Sequence, residues 1–175
     1  MGSTGLYGVR LMNSFDRTPL WGADHLLFVS SAYNGGSRVL KLSRTGDRVS
    51  AEEVWANKRV RIHFGNAVRF EHRIYASSGD FGSAPFAAID VSTGEMNWRD
   101  RSMTRSTLIR VGTRLIILDE DGNLALATPG ESGLTIHAKA QILHERAWTA
   151  PTLSGTTLYV RDRHQVMALD LGSRP

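Results

Sequence analysis

The chain has 175 residues and a mass of 19.3 kDa, enough for one domain or for a segment of a larger closed architecture. Its 41% hydrophobic and 22% charged content is that of an ordinary globular protein, and the lack of cysteine excludes a disulfide framework, thiolate metal ligation and a cysteine nucleophile. The net charge of +4 comes almost wholly from dispersed arginines, many beside acids as in Arg99-Asp100-Arg101 and Arg161-Asp162-Arg163. That scatter fits solvated strand edges and excludes the gathered basic face of a nucleic-acid binder.

From the N-terminus, Met1–Gly5 lacks the charged and apolar regions of a signal peptide. No run is apolar enough for a transmembrane helix. Leu6–Arg10 reads as a short strand, which either closes the last sheet of a ring or ends a preceding one. Four similar units follow. Each has a turn and a short apolar strand, anchored at Leu27, Ile74, Leu115 and Leu158, with intervals of 47, 41 and 43 residues. A strand-built period in the low forties is that of propeller blades. Each anchor strand is preceded by a short strand with a polar lead-in and followed by a second hairpin strand. The third unit is clearest, with Leu115–Asp119 and Asn123–Ala127 flanking Asp121-Gly122, a dipeptide suited to a tight turn. A further strand leads outward and ends near Trp55, Trp98 and Ile142. No apolar stripe of helical period occurs. The expectation is an all-β propeller of about four blades with four antiparallel strands each, spanning 14–57, 58–103, 104–145 and 146–175. It forms either a small closed ring or part of one, and its last blade stops after the third strand.

Residues 88–98 read Ala-Ile-Asp-Val-Ser-Thr-Gly-Glu-Met-Asn-Trp. Ala88 is small enough for close approach of a neighbour, Asp90 and Thr93 can hydrogen-bond the turn, Gly94 supplies the special dihedral, and the Trp98 indole needs an acceptor. This run resembles the tryptophan-docking motif of quinoprotein-type, PQQ-binding-like β-propellers. Fragments recur at Thr45-Gly46 with Trp55 and at Ala168-Leu169-Asp170. The resemblance covers nearly the whole chain and matches the C-terminal half of longer bacterial members. It implies a half-ring and a periplasmic or exported location. It also implies an open arc, or two arcs pairing into a ring, beside the small closed ring.

In such a fold the polar lead-ins to the innermost strands converge at one mouth of the central channel. The candidate ligand-binding residues are therefore Asp16 and Arg17, His63 and Asn66, Arg105 with Ser106, and Trp148 and Thr149, with Tyr33 and Asp80 as weaker additions. An aromatic, a histidine, an amide and arginines suit an anionic or planar small ligand. Asp119–Asn123 alternates acids like part of a calcium loop, but a strand resumes at Leu124, so it reads as a hairpin turn. The six histidines form no metal-binding spacing, and no serine-nucleophile elbow occurs. With no catalytic constellation, the expectation is a non-catalytic binding or scaffold module for a protein partner or small ligand, needing no metal or cofactor. The family resemblance keeps one alternative, a fragment of a PQQ-dependent dehydrogenase using PQQ, calcium and an Asp base. The adjacent cysteines of many such enzymes are missing, and no Asp stands in a base motif. Open blade edges further imply self-association.

Overall fold

Short alternating runs punctuated by turns make hairpins, and hairpins in series make meandering sheets. The computed structural model describes residues 19–172. The first sheet runs β1 (Leu20–Trp21), β2 (Leu26–Ser31), β3 (Gly36–Thr45), β4 (Arg48–Asn57). The second runs β5 (Ala67–Phe70), β6 (Arg73–Ser77), β7 (Phe86–Asp90), β8 (Met96–Asp100). The third is β9 (Ser106–Val111), β10 (Arg114–Asp119), β11 (Asn123–Pro129), β12 (Leu134–Gln141). The last is β13 (Thr152–Ser154), β14 (Thr157–Arg161) and β15 (Val166–Asp170). Every sheet pairs its strands antiparallel in chain order, and the last has three strands among the described residues. No helix occurs in this span, so none is long and apolar enough to cross a membrane. The expected strand at 6–10 and the start of the first unit lie outside the described residues.

The repeat holds at the level of register. Each four-stranded sheet bulges at one place, between Val39 and Leu40, between Ala88 and Ile89, and between Leu126 and Ala127. Paired with the first residue of each bulge stand Trp55, Trp98 and Ala138. The register equivalent of the two tryptophans is thus Ala138 and not Ile142, because Ile142 follows the strand instead of lying in it.

A sheet with two apolar faces must bury both against neighbours. Three cores do this between successive sheets. Phe28 and Val39 pack with Ile74 and Ile89; Tyr75, Phe86 and Trp98 pack with Leu115 and Ile117; Ile116 and Leu118 pack with Leu158 and Val160. Among the described residues none of the three joins the fourth sheet to the first, so these sheets form an open arc, a partial propeller.

The tryptophans work between sheets. Trp55 Nε1 donates to the Val91 carbonyl of the next sheet at 2.8 Å, and Asn57 Nδ2 donates to Gly94 O at 2.8 Å. Gly94 has φ 75°, and a Cβ there would lie 2.6 Å from the Trp55 indole. Trp98 Nε1 repeats the contact one sheet on, donating to Gly130 O at 3.1 Å. The receiving turn is set by Asp90, whose Oδ1 accepts from the Ser92 and Thr93 amides at 2.8 and 3.0 Å.

Truncating the buried indole removes both packing and the inter-sheet hydrogen bond, so Trp98→Ala is expected to cost about 3–5 kcal/mol in urea unfolding. Gly94→Ala should also lower the midpoint, since it meets a positive φ and an occupied space together. An unchanged midpoint for either would contradict this packing.

Partial burial acts to raise the Asp90 pKa, but the hydrogen bonds from Ser92 and Thr93 outweigh it and hold the carboxyl below the ordinary range. Asp100 behaves alike, its burial outweighed by hydrogen bonds from Ser102 and the Leu134 amide. A folded-state pKa below the unfolded value of about 3.9 stabilises the fold above that value, and the contribution is lost as pH falls through the folded one. Melting temperature is therefore expected to fall below about pH 4, and Asp90→Asn, being unable to lose that charge, should show a shallower fall.

Candidate binding site at the channel mouth

The loops joining β2 to β3 and β6 to β7 open toward the same end of the arc as the linkers 58–66, 101–105 and 142–151. There they line a cavity of about 750 Å³. Five aromatic side chains form a continuous run along it. Tyr33 meets His63 at 4.9 Å between centroids and Phe81 at 5.7 Å. His63 packs on Phe64 at 4.0 Å, and Phe64 stacks on Trp148 at 4.7 Å, only 4° from parallel. Arg163 covers the Trp148 indole, its guanidinium carbon 5.1 Å from the centroid. Tyr33 and Phe64 hold positive φ values of 57° and 53°, an uncommon backbone state for bulky residues. Phe81 is 81% exposed.

The charged groups alternate in sign around these aromatics. Asp80 is buried, and its Oδ2 pairs with Arg61 at 2.8 Å. Its carbonyl accepts from Arg105 at 2.8 Å and lies 3.1 Å from His63 Nδ1. Arg146 bridges Glu120 at 3.2 Å and Asp121 at 3.1 Å, and Trp148 Nε1 donates to Glu120 at 3.0 Å. Among the described residues, Asp80 Oδ1 and the Nε atoms of Arg61 and Arg105 are buried without a hydrogen-bond partner. Arg105 meets no carboxylate there; it donates to the carbonyls of Asp80 and Gly82.

Beneath the cavity the Asp119–Asn123 turn is locked by its own first residue. Asp119 Oδ1 accepts from the Asp121 and Asn123 amides at 3.1 and 2.9 Å and from the Asn123 side chain at 3.1 Å. Gly122 lies so close to the next linker that a Cβ would sit 2.1 Å from the Leu143 carbonyl. This turn presents Glu120 and Asp121 to the mouth.

Of the residues picked from the sequence, His63, Arg105 and Trp148 line this cavity together, with Tyr33 and Asp80. Asn66 instead ties two sheets, donating to Leu108 O at 2.7 Å and accepting from Leu108 N at 2.8 Å. Ser106 is buried and turned to the Thr104 carbonyl. Thr149 is exposed and outside the lining, and its carbonyl faces the Thr107 hydroxyl at 3.5 Å. Asp16 and Arg17 lie outside the described residues. Phe64, Phe81, Gly82, Ser83, Thr104, Glu120, Asp121 and Arg146 complete the lining and were not among the expected residues. Phe81 carries a readable signal, an aromatic in a Gly-Asp-Phe-Gly-Ser loop with no strand to join.

No protein-family model and no curated protein matches the chain. Among solved structures it is similar to BamB from Moraxella catarrhalis, with a TM-score of 0.63 at 20% identity over 88% of this chain and 42% of that one. It is also similar to the computationally designed Ika4 protein, with a TM-score of 0.61 at 11% identity over 98% of this chain and 100% of that one. The fold is a β-propeller fold. The chain spans less than half of the BamB chain, and at such identities the likeness carries fold alone.

Removing the Asp80 carboxylate strands Arg61, whose side chain is 40% exposed and remains partly hydrated. Asp80→Ala is therefore expected to cost about 1 kcal/mol in urea unfolding, well short of the roughly 3–5 kcal/mol of a fully buried pair.

Proposed function

We propose that this propeller segment is a non-catalytic binding or scaffold module that holds a peptide segment of a protein partner at the channel mouth. The observation that carries the reading is the run of Tyr33, His63, Phe64, Phe81 and Trp148 along one cavity, drawn from separate sheets and linkers. Exposed aromatics beside an arginine, gathered in one concave place, are the usual energetic anchors of a protein interface. The lining offers polar partners of both kinds, since Arg105 and Arg146 can donate and Glu120 and Asp121 can accept, and a peptide amide presents both an acceptor and a donor. Because Asp80 is paired with Arg61, and Glu120 and Asp121 with Arg146, the charges at the mouth are largely balanced, which suits a neutral amide better than a simple anion.

The donor set does not suit the calcium-held PQQ that the family resemblance brings with it. Asp80 is engaged by Arg61, and Glu120 and Asp121 are engaged by Arg146. A dication there would meet guanidinium groups before free carboxylates. We therefore favour the binding module over a dehydrogenase fragment, and an exported, periplasmic location belongs to the same proposal.

The test is peptide display against the immobilised chain, followed by titration of the selected peptides with wild type, Phe81→Ala and Trp148→Ala. Phe81 contributes little to the core, so its loss should leave the melt unchanged while weakening binding about tenfold or more. Peptides that bind all three proteins equally would overturn the reading. So would turnover of an alcohol or a sugar by the chain supplied with PQQ and calcium.

A further inference from the structure

We propose that the chain carries a second binding site, at the end of the arc opposite the aromatic mouth, that takes the zwitterionic head of a free amino acid with a flat apolar side chain. The turns joining β1 to β2, β5 to β6 and β7 to β8 gather at that end and enclose a cavity of about 650 Å³. Its walls include Trp21, Asp24, Arg69, Glu71, His72 and Arg110. None of these residues lines the aromatic mouth.

Comparison of the repeats shows what is unusual there. Arg69 lies opposite the anchor Ile74 and Arg110 opposite the anchor Leu115, so the two arginines hold the same place in successive sheets. Asp24 and Glu71 are likewise equivalent, each three residues before its anchor, Leu27 or Ile74. Arg69 reaches back to the preceding sheet and holds Asp24 with both terminal nitrogens, Nη1 on Oδ1 at 3.0 Å and Nη2 on Oδ2. Gly22 gives that guanidinium its room, since a Cβ there would sit 2.1 Å from Arg69 Nη1.

Repetition would pair Arg110 with Glu71 in the same way. Instead Arg110 donates to the Arg69 carbonyl at 2.9 Å and to the Gly112 carbonyl at 3.1 Å, with its guanidinium carbon 4.3 Å from the Phe70 ring centroid. Its ties among the described residues are thus to backbone carbonyls and a ring, and to no carboxylate. The Glu71 side chain is 89% exposed and has His72 Nδ1 4.0 Å away. Glu71 also holds φ 47°, where the third and fourth units place Gly112 at 59° and Gly155 at 58°. Glycine takes that backbone state freely and glutamate does not, so the turn by itself gives no reason for a glutamate. Beside these groups the Trp21 indole is 54% exposed, with the His25 ring 5.9 Å away.

The cavity therefore presents a cation and a carboxylate that do not neutralise each other, next to an open aromatic plate. A simple anion at Arg110 meets repulsion from Glu71, and a simple cation at Glu71 meets repulsion from Arg110. An α-amino acid carries both charges side by side. Its carboxylate accepts from the Arg110 guanidinium, its ammonium donates to Glu71, and a flat side chain lies against Trp21. Two carbonyls and the Phe70 ring already orient Arg110, which lowers the ordering cost of binding.

Calorimetric titration of the full chain with L-phenylalanine is expected to show saturable binding. Hydrocinnamate, which lacks the ammonium, and phenethylamine, which lacks the carboxylate, should each bind about tenfold more weakly or worse. Arg110→Gln and Trp21→Ala should weaken L-phenylalanine to a similar degree, whereas Phe81→Ala, at the other end of the arc, should leave it unchanged. Glu71→Gly separates binding from folding, because it should weaken binding while the melting temperature stays level or rises as the positive φ is relieved. Absence of saturable binding would overturn the proposal, and so would hydrocinnamate binding as tightly as L-phenylalanine. A loss of L-phenylalanine binding in Phe81→Ala would overturn it by placing the amino acid at the aromatic mouth.

Discussion

No sheet in this chain can bury both of its faces alone, and the rest of the structure depends on how each is docked on the next. The decisive contact is an indole laid across a neighbour's turn. Trp55 reaches the Val91 carbonyl and covers Gly94, while Trp98 reaches the Gly130 carbonyl. Each donates its N–H to a backbone acceptor and so enters the core without an unsatisfied polar atom. Polar ties accompany these contacts nearer the channel, where Asn66 holds both backbone groups of Leu108. Lower on the sheets, Arg110 donates to the Arg69 carbonyl at 2.9 Å and lies over Phe70. The result is a nearest-neighbour architecture, in which stability is close to a sum over junctions.

The same docking places the candidate site. Because successive sheets are rotated about a common centre, their loops and linkers meet at one end, and side chains distant in sequence become adjacent. Phe64 and Trp148 stack although two sheets separate them in the chain. Their exposure is held by rigid supports, since Asp119 locks the turn that carries Glu120 and Asp121, and Arg146 fixes both acids from the next linker. A partner meeting this surface finds it largely formed, which lowers the ordering cost of binding.

How much of this was legible in the sequence depends on the range of the interaction. Local chemistry was readable, because Asp90, Thr93 and Gly94 sit at the offsets a turn requires and the anchors at Leu27, Ile74, Leu115 and Leu158 recur at a nearly fixed interval. Non-local partners were not. The Asn66 side chain reads as a polar lead-in and becomes a backbone clamp, because its partner Leu108 lies in another unit. The role of Ala138 was hidden because its equivalence to Trp55 and Trp98 follows from bulge register, and a bulge shifts spacing by a residue that no turn motif announces. Phe64 and Glu120 were missed because nothing in their own segments distinguishes a mouth residue from an ordinary loop residue.

In a nearest-neighbour assembly the end units differ from the middle ones by having one junction instead of two. The second and third sheets each take part in two of the three cores, while the first and fourth take part in one. The fourth is weaker still, since its junction has a groove at Ala138 where the earlier ones have an indole, and its edge strand β15 is unpaired among the described residues. Local opening therefore begins at β13–β15 and leaves the central sheets folded. Trp148 stands in the linker that enters this unit and Arg163 in its β14–β15 turn, and the guanidinium lies over the indole. Whatever secures the fourth sheet therefore also steadies the wall of the cavity that Trp148 forms.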